Sequence, residues 1–501
     1  MKNPLHSGLR PSSIFSITAV LLLSAFPPCL QAKAVFAHFM MSNTANYTLS
    51  TWRADITAAK AAKIDAFALN MGFGMSNTSA SLNASFTVAE ELEFKLFLSF
   101  DYAANSASDA ETNRVARWPQ HAVVELLKQF IPRAAYFRHE SRPLVSTFEG
   151  FDAAADWTGI KQQLAAEAED ILFIPDWTSA GPERAVQIPS VDGLMSWNAW
   201  PNGTSAMETS DDVAHRAILD SKGSNPKLLY IMPVSPWFYT NLPAFEKNWV
   251  ARGDDLWYVR WQQVLDLDPQ PDFVEIISWN DYGESHYIGP LHEGGVATEI
   301  LEDAGAPFDY VRGMPHDGWR ALLPFLIEQY KAGGGGGDRG EATVPTEEVL
   351  SVWYRLSPAR ACENGNTSGN ANADANATGN TGARLDPGMV LEDKVFYSAL
   401  LQDGADVSVV IGSDAGPGAA WTDVPASGRG VYHGSCHMGD REGEVVVTLS
   451  RHREAFAEMR GRNIELQKEC PLNKTNWNAW VGFYGQTVWN NKTGPGNLTV
   501  T

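Results

Sequence analysis

Along residues 33–332 short apolar runs alternate with amphipathic stretches. The runs are AVFAHFM from Ala34, DAFALNMG from Asp65, KLFLSFDY from Lys95, RPLVSTFEG from Arg142, DILFIPDW from Asp170, VDGLMSWNAW from Val191, KLLYIMPVSPW from Lys227 and FVEIISWNDYGES from Phe273. They are near-continuous rather than alternating, the pattern of parallel strands buried on both faces. Most gaps carry a helical period, as in TLSTWRADITAAKAAK, WPQHAVVELLKQF and WTGIKQQLAAEA. After the eighth run, DGWRALLPFLIEQYKAG puts Trp319, Leu322, Leu323, Leu326 and Tyr330 on one face, with glycine as the stop. Thr87 and Glu90 have the spacing of a capping box ahead of a helix. Eight strands alternating with helices over about 300 residues predict a (β/α)8 TIM barrel spanning 33–332. An open doubly wound sheet is the alternative, but no glycine-rich fingerprint follows the first strand.

The pattern changes beyond the barrel. Five consecutive glycines, Gly333 to Gly337, open a flexible linker over 333–342. Residues 343–501 then read as short strands, VLSVWYRLS, KVFYSALLQ, VSVVIGS, EVVVTLS and AWVGFYGQTVW, separated by Gly, Pro, Asp and Ser. They predict a C-terminal β-sandwich accessory domain. REAFAEMRGR reads as a short helix within it, and the polar stretch Glu363 to Gly382 as an exposed, glycosylated loop. At the other end, Lys2 and Arg10 precede an apolar run from Ile14 to Phe26, and small residues follow. That run is shorter than the ~20 apolar residues that span a bilayer, so 1–32 reads as a signal peptide.

Composition narrows the partners. The 501 residues carry a formal net charge of −21 with 44% hydrophobic residues. Such acidity argues against nucleic acid or an anionic membrane, both of which need basic patches. A neutral polymer, met by a secreted monomer, fits better. Nine N-x-S/T sequons, at Asn46, Asn77, Asn83, Asn202, Asn366, Asn376, Asn473, Asn491 and Asn497, agree with a secretory route. Cys29 leaves with the signal, and Cys362, Cys436 and Cys470 predict one disulfide and one thiol. Their spacing matches no zinc site, and no metal or cofactor is expected. The 17 tryptophans are mostly core, with some available as flat platforms for sugar rings.

In a barrel of this class, chemistry sits at the carboxyl ends of the strands. In order, the runs end on His38, on Asn70, on Asp101 and Tyr102, on Glu149, on Asp176 and Trp177, on Trp197, Asn198 and Trp200, on Ser235 and Trp237, and on Asn280, Asp281, Tyr282 and Glu284. Acids, amides and aromatics at one mouth are the chemistry of a sugar cleft. Each also has a plain structural role: Asp101 and Asp176 as helix caps, Glu149 as a solvated loop acid, His38 as a satisfied barrel histidine, the tryptophans as packing. The pair Asp281 and Glu284 is the hardest to reduce to a polar turn. Gly283 between them permits a bend that aims both at the mouth.

KAVFAHFMMSN, LFLSFDY and above all ISWNDYGESHYIGP resemble the fungal α-1,3-glucanases, or mutanases, of glycoside hydrolase family 71. The resemblance runs from about Lys33 to Lys331 and into the following β-rich region. It implies an endo-acting, inverting hydrolase of α-1,3-glucan that needs no cofactor, with Asp281 and Glu284 as the catalytic pair and Asp101 in support. On this reading Glu284 is the general acid and Asp281 the base. His38, Asn70, Tyr102, Glu149, Asp176, Trp177, Trp197, Asn198, Trp237, Asn280 and Tyr282 are expected to bind substrate. An endo-α-mannosidase-like barrel and a non-catalytic glycan-binding protein are the alternatives.

Overall fold

The structure, a computed structural model, describes Met1 and residues 33–485, except 76–77, 104–107, 110–113, 116, 168, 225, 293–295, 334–344, 360, 362–367, 370–384, 416–417 and 467–474. The segment expected as a signal peptide, apart from Met1, nearly all of the glycine linker, most of the polar loop, six of the sequons (Asn77, Asn366, Asn376, Asn473, Asn491 and Asn497), Cys362 and Cys470 lie outside these residues. Cys436 is buried.

Each of the eight apolar runs contributes a parallel strand: β1 (Ala34–Met40), β2 (Ala66–Gly72), β3 (Lys95–Asp101), β4 (Arg142–Phe148), β5 (Leu172–Phe173), β6 (Gly193–Met195), β7 (Leu229–Val234) and, after a hairpin, β10 (Phe273–Ile276). The hairpin is β8 (Tyr239–Leu242) and β9 (Lys247–Val250). Pairing runs β1 to β2, β3, β4 and β5 on one side, and from β1 through β10 and β7 to β6 on the other. The ring closes between β5 and β6, where Asp176 bridges both Phe148 and Met195. Met195 N donates to Pro175 O at 2.9 Å across that seam. This is a TIM-barrel ring.

Its floor is apolar. Phe36 meets Phe97, Phe137 and Phe273 at ring separations of 5.0, 4.9 and 5.3 Å. One layer higher the filling turns polar, with His38 Nδ1 2.9 Å from Glu275 Oε1 and both side chains buried. Polar groups in that position point the open, carboxyl end of the barrel toward chemistry and leave the floor to packing.

Helices wrap the ring, among them α1 (Leu49–Ala61), α2 (Thr78–Glu91), α3 (Gln120–Phe130), α4 (Asp156–Ala165), α5 (Ser210–Ser221), α6 (Leu256–Asp266) and α7 (Leu323–Ala332). Two local expectations are corrected. Thr87 and Glu90 lie in the last turns of α2, not before a helix. Thr87 Oγ1 donates back to Asn83 O at 2.8 Å, and Glu90 pairs with Arg133. The capping box belongs instead to α1, where Thr48 accepts from Thr51 N. The last amphipathic stretch breaks into Asp317–Arg320 and α7, because Pro324 in its first turn lacks the N–H to continue. All five of its predicted apolar-face residues are buried.

The C-terminal region forms two antiparallel sheets. One orders Ala420–Asp423, Gly430–His437, Lys394–Leu401, Val349–Arg355 and Ala479–Gly485; the other orders Asp406–Ile411, Gly443–Arg451 and Glu454–Ile464. One apolar cluster, including Leu350, Tyr397, Val447 and Met459, draws on both. The stretch expected as a helix is the strand Glu454–Ile464. Its inward residues Ala457, Met459 and Ile464 alternate with exposed ones, and pairing with Gly443–Arg451 overrides its helix-forming residues.

These sheets are joined tightly to the barrel. From Lys33 onward the described chain is one compact unit. Trp237 Nε1 donates to Trp477 O at 3.0 Å, Trp353 Nε1 to Asp254 O at 2.6 Å and Ser351 Oγ to Gly318 O at 2.9 Å. The main barrel cluster continues into Val349, Trp353, Phe396, Trp477 and Val481. Gly318 is required there, since a Cβ would lie 2.6 Å from Gly482 O. Among the described residues, no helix is long and apolar enough to cross a membrane.

Candidate active site

The loop after β10 leaves the barrel at Ser278 and folds straight back. Ser278 N donates to His286 O at 2.9 Å, Ile288 N to Ser278 O at 3.0 Å and Gly289 N to Trp279 O at 2.7 Å. Inside this lobe Asp281 N donates to Ser278 Oγ at 2.9 Å and Glu284 N to Asp281 Oδ1 at 3.0 Å. A side chain that accepts from the backbone three residues on makes a tight turn, which brings Asp281 and Glu284 to one side. The left-handed residue of the turn is Ser285, with φ +60°, and not Gly283. Gly283 serves a close approach instead, because a Cβ there would lie 3.0 Å from Leu242 Cδ1.

Outside contacts hold the lobe in place. Asn280 Oδ1 accepts from Met40 N at 2.8 Å while its Nδ2 donates to Met40 O at 3.1 Å, tying the loop to the end of β1. Tyr310 donates to Gly283 O at 2.6 Å, and Tyr239 N to Glu284 O at 3.1 Å.

Four side chains meet at the centre. His286 Nε2 lies 3.1 Å from Glu284 Oε2 and 3.8 Å from Asp281 Oδ2. Lys247 Nζ, from the hairpin, lies 2.5 Å from Glu284 Oε1. Side-chain exposures of 15% for Glu284, 17% for Asp281 and 25% for Lys247 leave the pair accessible yet largely dry. Burial favours the neutral form of both acids, but they end up apart. At Glu284, Lys247 and His286 outweigh burial and hold the carboxyl well below the usual carboxylate range. At Asp281, burial dominates; His286 and Lys247 oppose it, the negative charge of Glu284 adds to it, and the carboxyl is raised. Burial likewise disfavours charge on Lys247, yet Glu284, Asp281 and Asp101 together raise its pKa. Two close carboxyls with opposite displacements are the electrostatic form of an acid and base pair.

Donor atoms of Asp281, Glu284 and His286 lie within 4.8 Å of one another. Glu284 spends both oxygens on Lys247 and His286, so the cluster is an ion-paired carboxylate rather than an open metal site. The same figure bounds the gap between the acids. It is shorter than the ~6.5–9.5 Å of inverting pairs and close to the ~5–5.5 Å of retaining ones.

The other predicted residues divide into groups. Asp101, at the end of β3, accepts from Ala103 N at 2.8 Å and adds its charge to the field at Lys247. Glu149, with φ +53°, accepts from Ser179 N at 3.2 Å, and burial raises its pKa. Asp176 is fully buried; burial and then Glu149 raise its pKa, while its Oδ1 accepts from Thr178 N at 3.1 Å in the manner of a cap. Asp176 Oδ2 and Asn70 Nδ2 are buried with no hydrogen-bond partner among the described residues. Trp197 is half-buried, edge-on to His38 at 4.8 Å and to Phe148 at 4.7 Å. Asn198 Nδ2 donates to Asp211 Oδ2 at 3.3 Å.

Several more are enclosed by protein. Trp177 packs on Phe151 and Phe173. Trp237 is capped by Trp477. Tyr102 is buried with its ring against Gly150, where a Cβ would lie 2.4 Å from Cγ. Asn280 uses its amide on Met40, and Tyr282 is buried and donates to Pro290 O at 3.1 Å. Their visible contacts are with the chain itself. His286 and Lys247 were not among the expected site residues. His286 stood in the quoted ISWNDYGESHYIGP stretch two residues beyond Glu284, whereas no local pattern marks Lys247.

Comparison with known proteins gives this geometry a setting. The sequence profile described as glycosyl hydrolase family 71 matches residues 31–493. A glucan endo-1,3-alpha-glucosidase of Schizosaccharomyces pombe is 35% identical over 406 residues, 79% of this chain and 84% of that one. A mutanase of Penicillium rubens is 32% identical over 475 residues, 93% of this chain and 92% of that one. Among solved structures, the GH99 endo-alpha-mannosidase from Bacteroides thetaiotaomicron is similar at a TM-score of 0.39 with 14% identity, covering 58% of this chain and 81% of that one. With the profile matched over nearly the whole chain and relatives above 30% identity along most of their own length, the chain belongs to glycosyl hydrolase family 71.

Proposed function

We propose that the protein is an endo-acting α-1,3-glucanase, secreted as a monomer, that cleaves α-1,3-glucan with the carboxyl pair Asp281 and Glu284. The observation that carries the reading is this pair, held in opposite protonation tendencies on the loop after the last barrel strand of a family 71 chain. The relatives named glucan endo-1,3-alpha-glucosidase and mutanase supply the linkage. The barrel of 33–332 carries the chemistry, and 343–501 is a β-sandwich accessory domain that braces it.

The electrostatics favour roles opposite to those expected from the sequence. Asp281, raised by burial, carries the proton to the leaving oxygen. Glu284, ionised against Lys247 and His286, is the base that draws a proton from water. Asp101 and Glu149, with the face of Trp197, are the groups left to meet the sugar. Inversion, which the family resemblance implies, needs more room than this pair has. It calls for the acids to separate around the bound sugar, or for Asp101 to take the base role.

The test is sugar release from insoluble α-1,3-glucan, α-1,4-glucan and α-mannan, with NMR of the first-formed anomer. Release of α-1,3-linked oligosaccharides of several lengths from the first polymer alone is expected. Activity confined to mannan, or binding with no release, would overturn the proposal.

A further inference from the structure

Lys247 belongs to neither the catalytic loop nor any barrel strand. It sits at the start of β9, opposite Leu242 of β8 in the antiparallel register. The turn between them, Pro243–Phe245, is followed by Glu246 in the left-handed region at φ +56°. Three contacts fix this hairpin against the catalytic loop and the C-terminal region. Tyr239 N donates to Glu284 O at 3.1 Å, Leu242 fills the space left by the missing side chain of Gly283, and Tyr239 OH donates to Thr475 O at 3.2 Å. A fourth, the stack of Phe238 on Trp249 at 5.7 Å and 7°, stiffens its base. A long flexible lysine is thereby delivered to one oxygen of one acid.

That selectivity matters because two close carboxyls in a dry site tend to share one proton, and a neighbour that touches both leaves its location open. His286 faces both acids. Among the described residues, Lys247 pairs with Glu284 alone. We propose that Lys247 is a positioning residue of this hydrolase, which by ion-pairing Glu284 Oε1 keeps that group a carboxylate and leaves Asp281 as the member of the pair that carries the proton. The inference rests on the reading of Asp281 and Glu284 as the catalytic pair. Among the described residues, the charged and titratable groups around Glu284 and its lysine are Lys247 from the hairpin, Asp281 and His286 from the loop itself, Tyr310, which holds Gly283 O, and Asp101 from the end of β3, whose charge acts on Lys247. Of these, only Lys247 and His286 meet the Glu284 carboxylate as donors, and the lysine is the one that reaches it from outside the loop.

The test uses the full chain with Lys247→Met and Lys247→Arg, following kcat and KM on α-1,3-glucan across pH, with thermal melting alongside. In Lys247→Met the acid limb of kcat should move up by about one pH unit or more, and kcat at the wild-type optimum should fall about tenfold or more. KM and melting temperature should change little, and Lys247→Arg should restore the limb. An equal loss at every pH, or no change in the limb, would overturn the proposal. A second measurement needs no turnover. In 13C-glutamate-labelled protein, with Glu284→Gln to identify the signal, Glu284 should protonate at clearly higher pH in Lys247→Met than in wild type. An unchanged titration would overturn the inference even for a protein that acts on another glycan. A changed titration with no release from α-1,3-glucan would instead retain it and defeat the proposed substrate.

Discussion

His286 Nε2 faces Glu284 Oε2 at 3.1 Å while its Nδ1 lies 2.9 Å from Ser278 Oγ. An ionised carboxylate can only accept, so Nε2 carries a proton. Ser278 Oγ also accepts from Asp281 N, so the ring and the backbone of the turn meet at one hydroxyl. One imidazole thus links the turn that shapes the loop to the acid that the turn presents. His286→Ala should lower kcat about a hundredfold, with a smaller loss for His286→Gln, which keeps an N–H donor. Steady-state kinetics on α-1,3-glucan, with circular dichroism to verify the fold, would show it. Wild-type turnover in His286→Ala would reduce the ring to packing between Trp200 and Phe238.

The opposed protonation of the pair yields a test of roles. Asp281→Asn and Glu284→Gln should each reduce glucan hydrolysis by about three orders of magnitude or more while the fold persists. An α-1,3-linked oligosaccharide with fluoride as its leaving group needs no protonation to depart. On that substrate Asp281→Asn should recover most of its rate and Glu284→Gln should not. Recovery by Glu284→Gln alone would return the acid role to Glu284.

Most of the barrel was legible because a parallel strand buried on both faces has no polar side to disguise it. AFALNMG and KLFLSFD announce themselves, and their ends locate the mouth. That Asp281 and Glu284 lie close together was legible too, since they stand three positions apart on one turn. Lys247 was not. It reaches Glu284 across 37 residues through a hairpin whose sequence carries no acid–base pattern. The rim tryptophans show a different limit. Trp197 and Trp237 both end strand-like runs, yet Trp197 is half-buried at the mouth and Trp237 is buried, with its Nε1 on the backbone carbonyl of Trp477, 240 residues away. Composition at a strand end does not say which indole another part of the chain will cover. Nor did Glu454–Ile464 reveal itself as a strand, since its pairing partner and not its own residues decides the matter.

The junction between barrel and C-terminal sheets should contribute heavily to stability. Trp353 is 1% exposed, stacks with Phe396 at 6.1 Å and donates to Asp254 O. Trp353→Ala should cost about 3–5 kcal/mol, from lost burial and the cavity left behind. Trp353→Phe keeps much of the packing and loses the hydrogen bond, for about 1–3 kcal/mol. Denaturant unfolding would measure both. A loss under about 1 kcal/mol in the alanine variant would mean that the C-terminal sheets dock loosely.

Beneath that junction Asp254 is buried, with both oxygens 3.2 Å from Glu392 N. Burial pushes its pKa up to about 7, against the pull of Arg355 and of that hydrogen bond. Because the folded value is the higher one, its contribution to stability is full below the unfolded value of about 4 and is lost as pH rises through 7. His316 and His433, lowered to about 4 by burial, act oppositely, losing stability as pH falls from about 6.5 toward 4. The total pH profile therefore mixes the two, and the informative quantity is the difference between Asp254→Asn and wild type. Between pH 5 and pH 8 that difference should shift by about 2–3 kcal/mol in favour of the asparagine variant, which has no charge to bury. Denaturant midpoints at the two pH values would measure it. Parallel profiles for the two proteins would show that Asp254 ionises freely and that the junction is wetter than its burial implies.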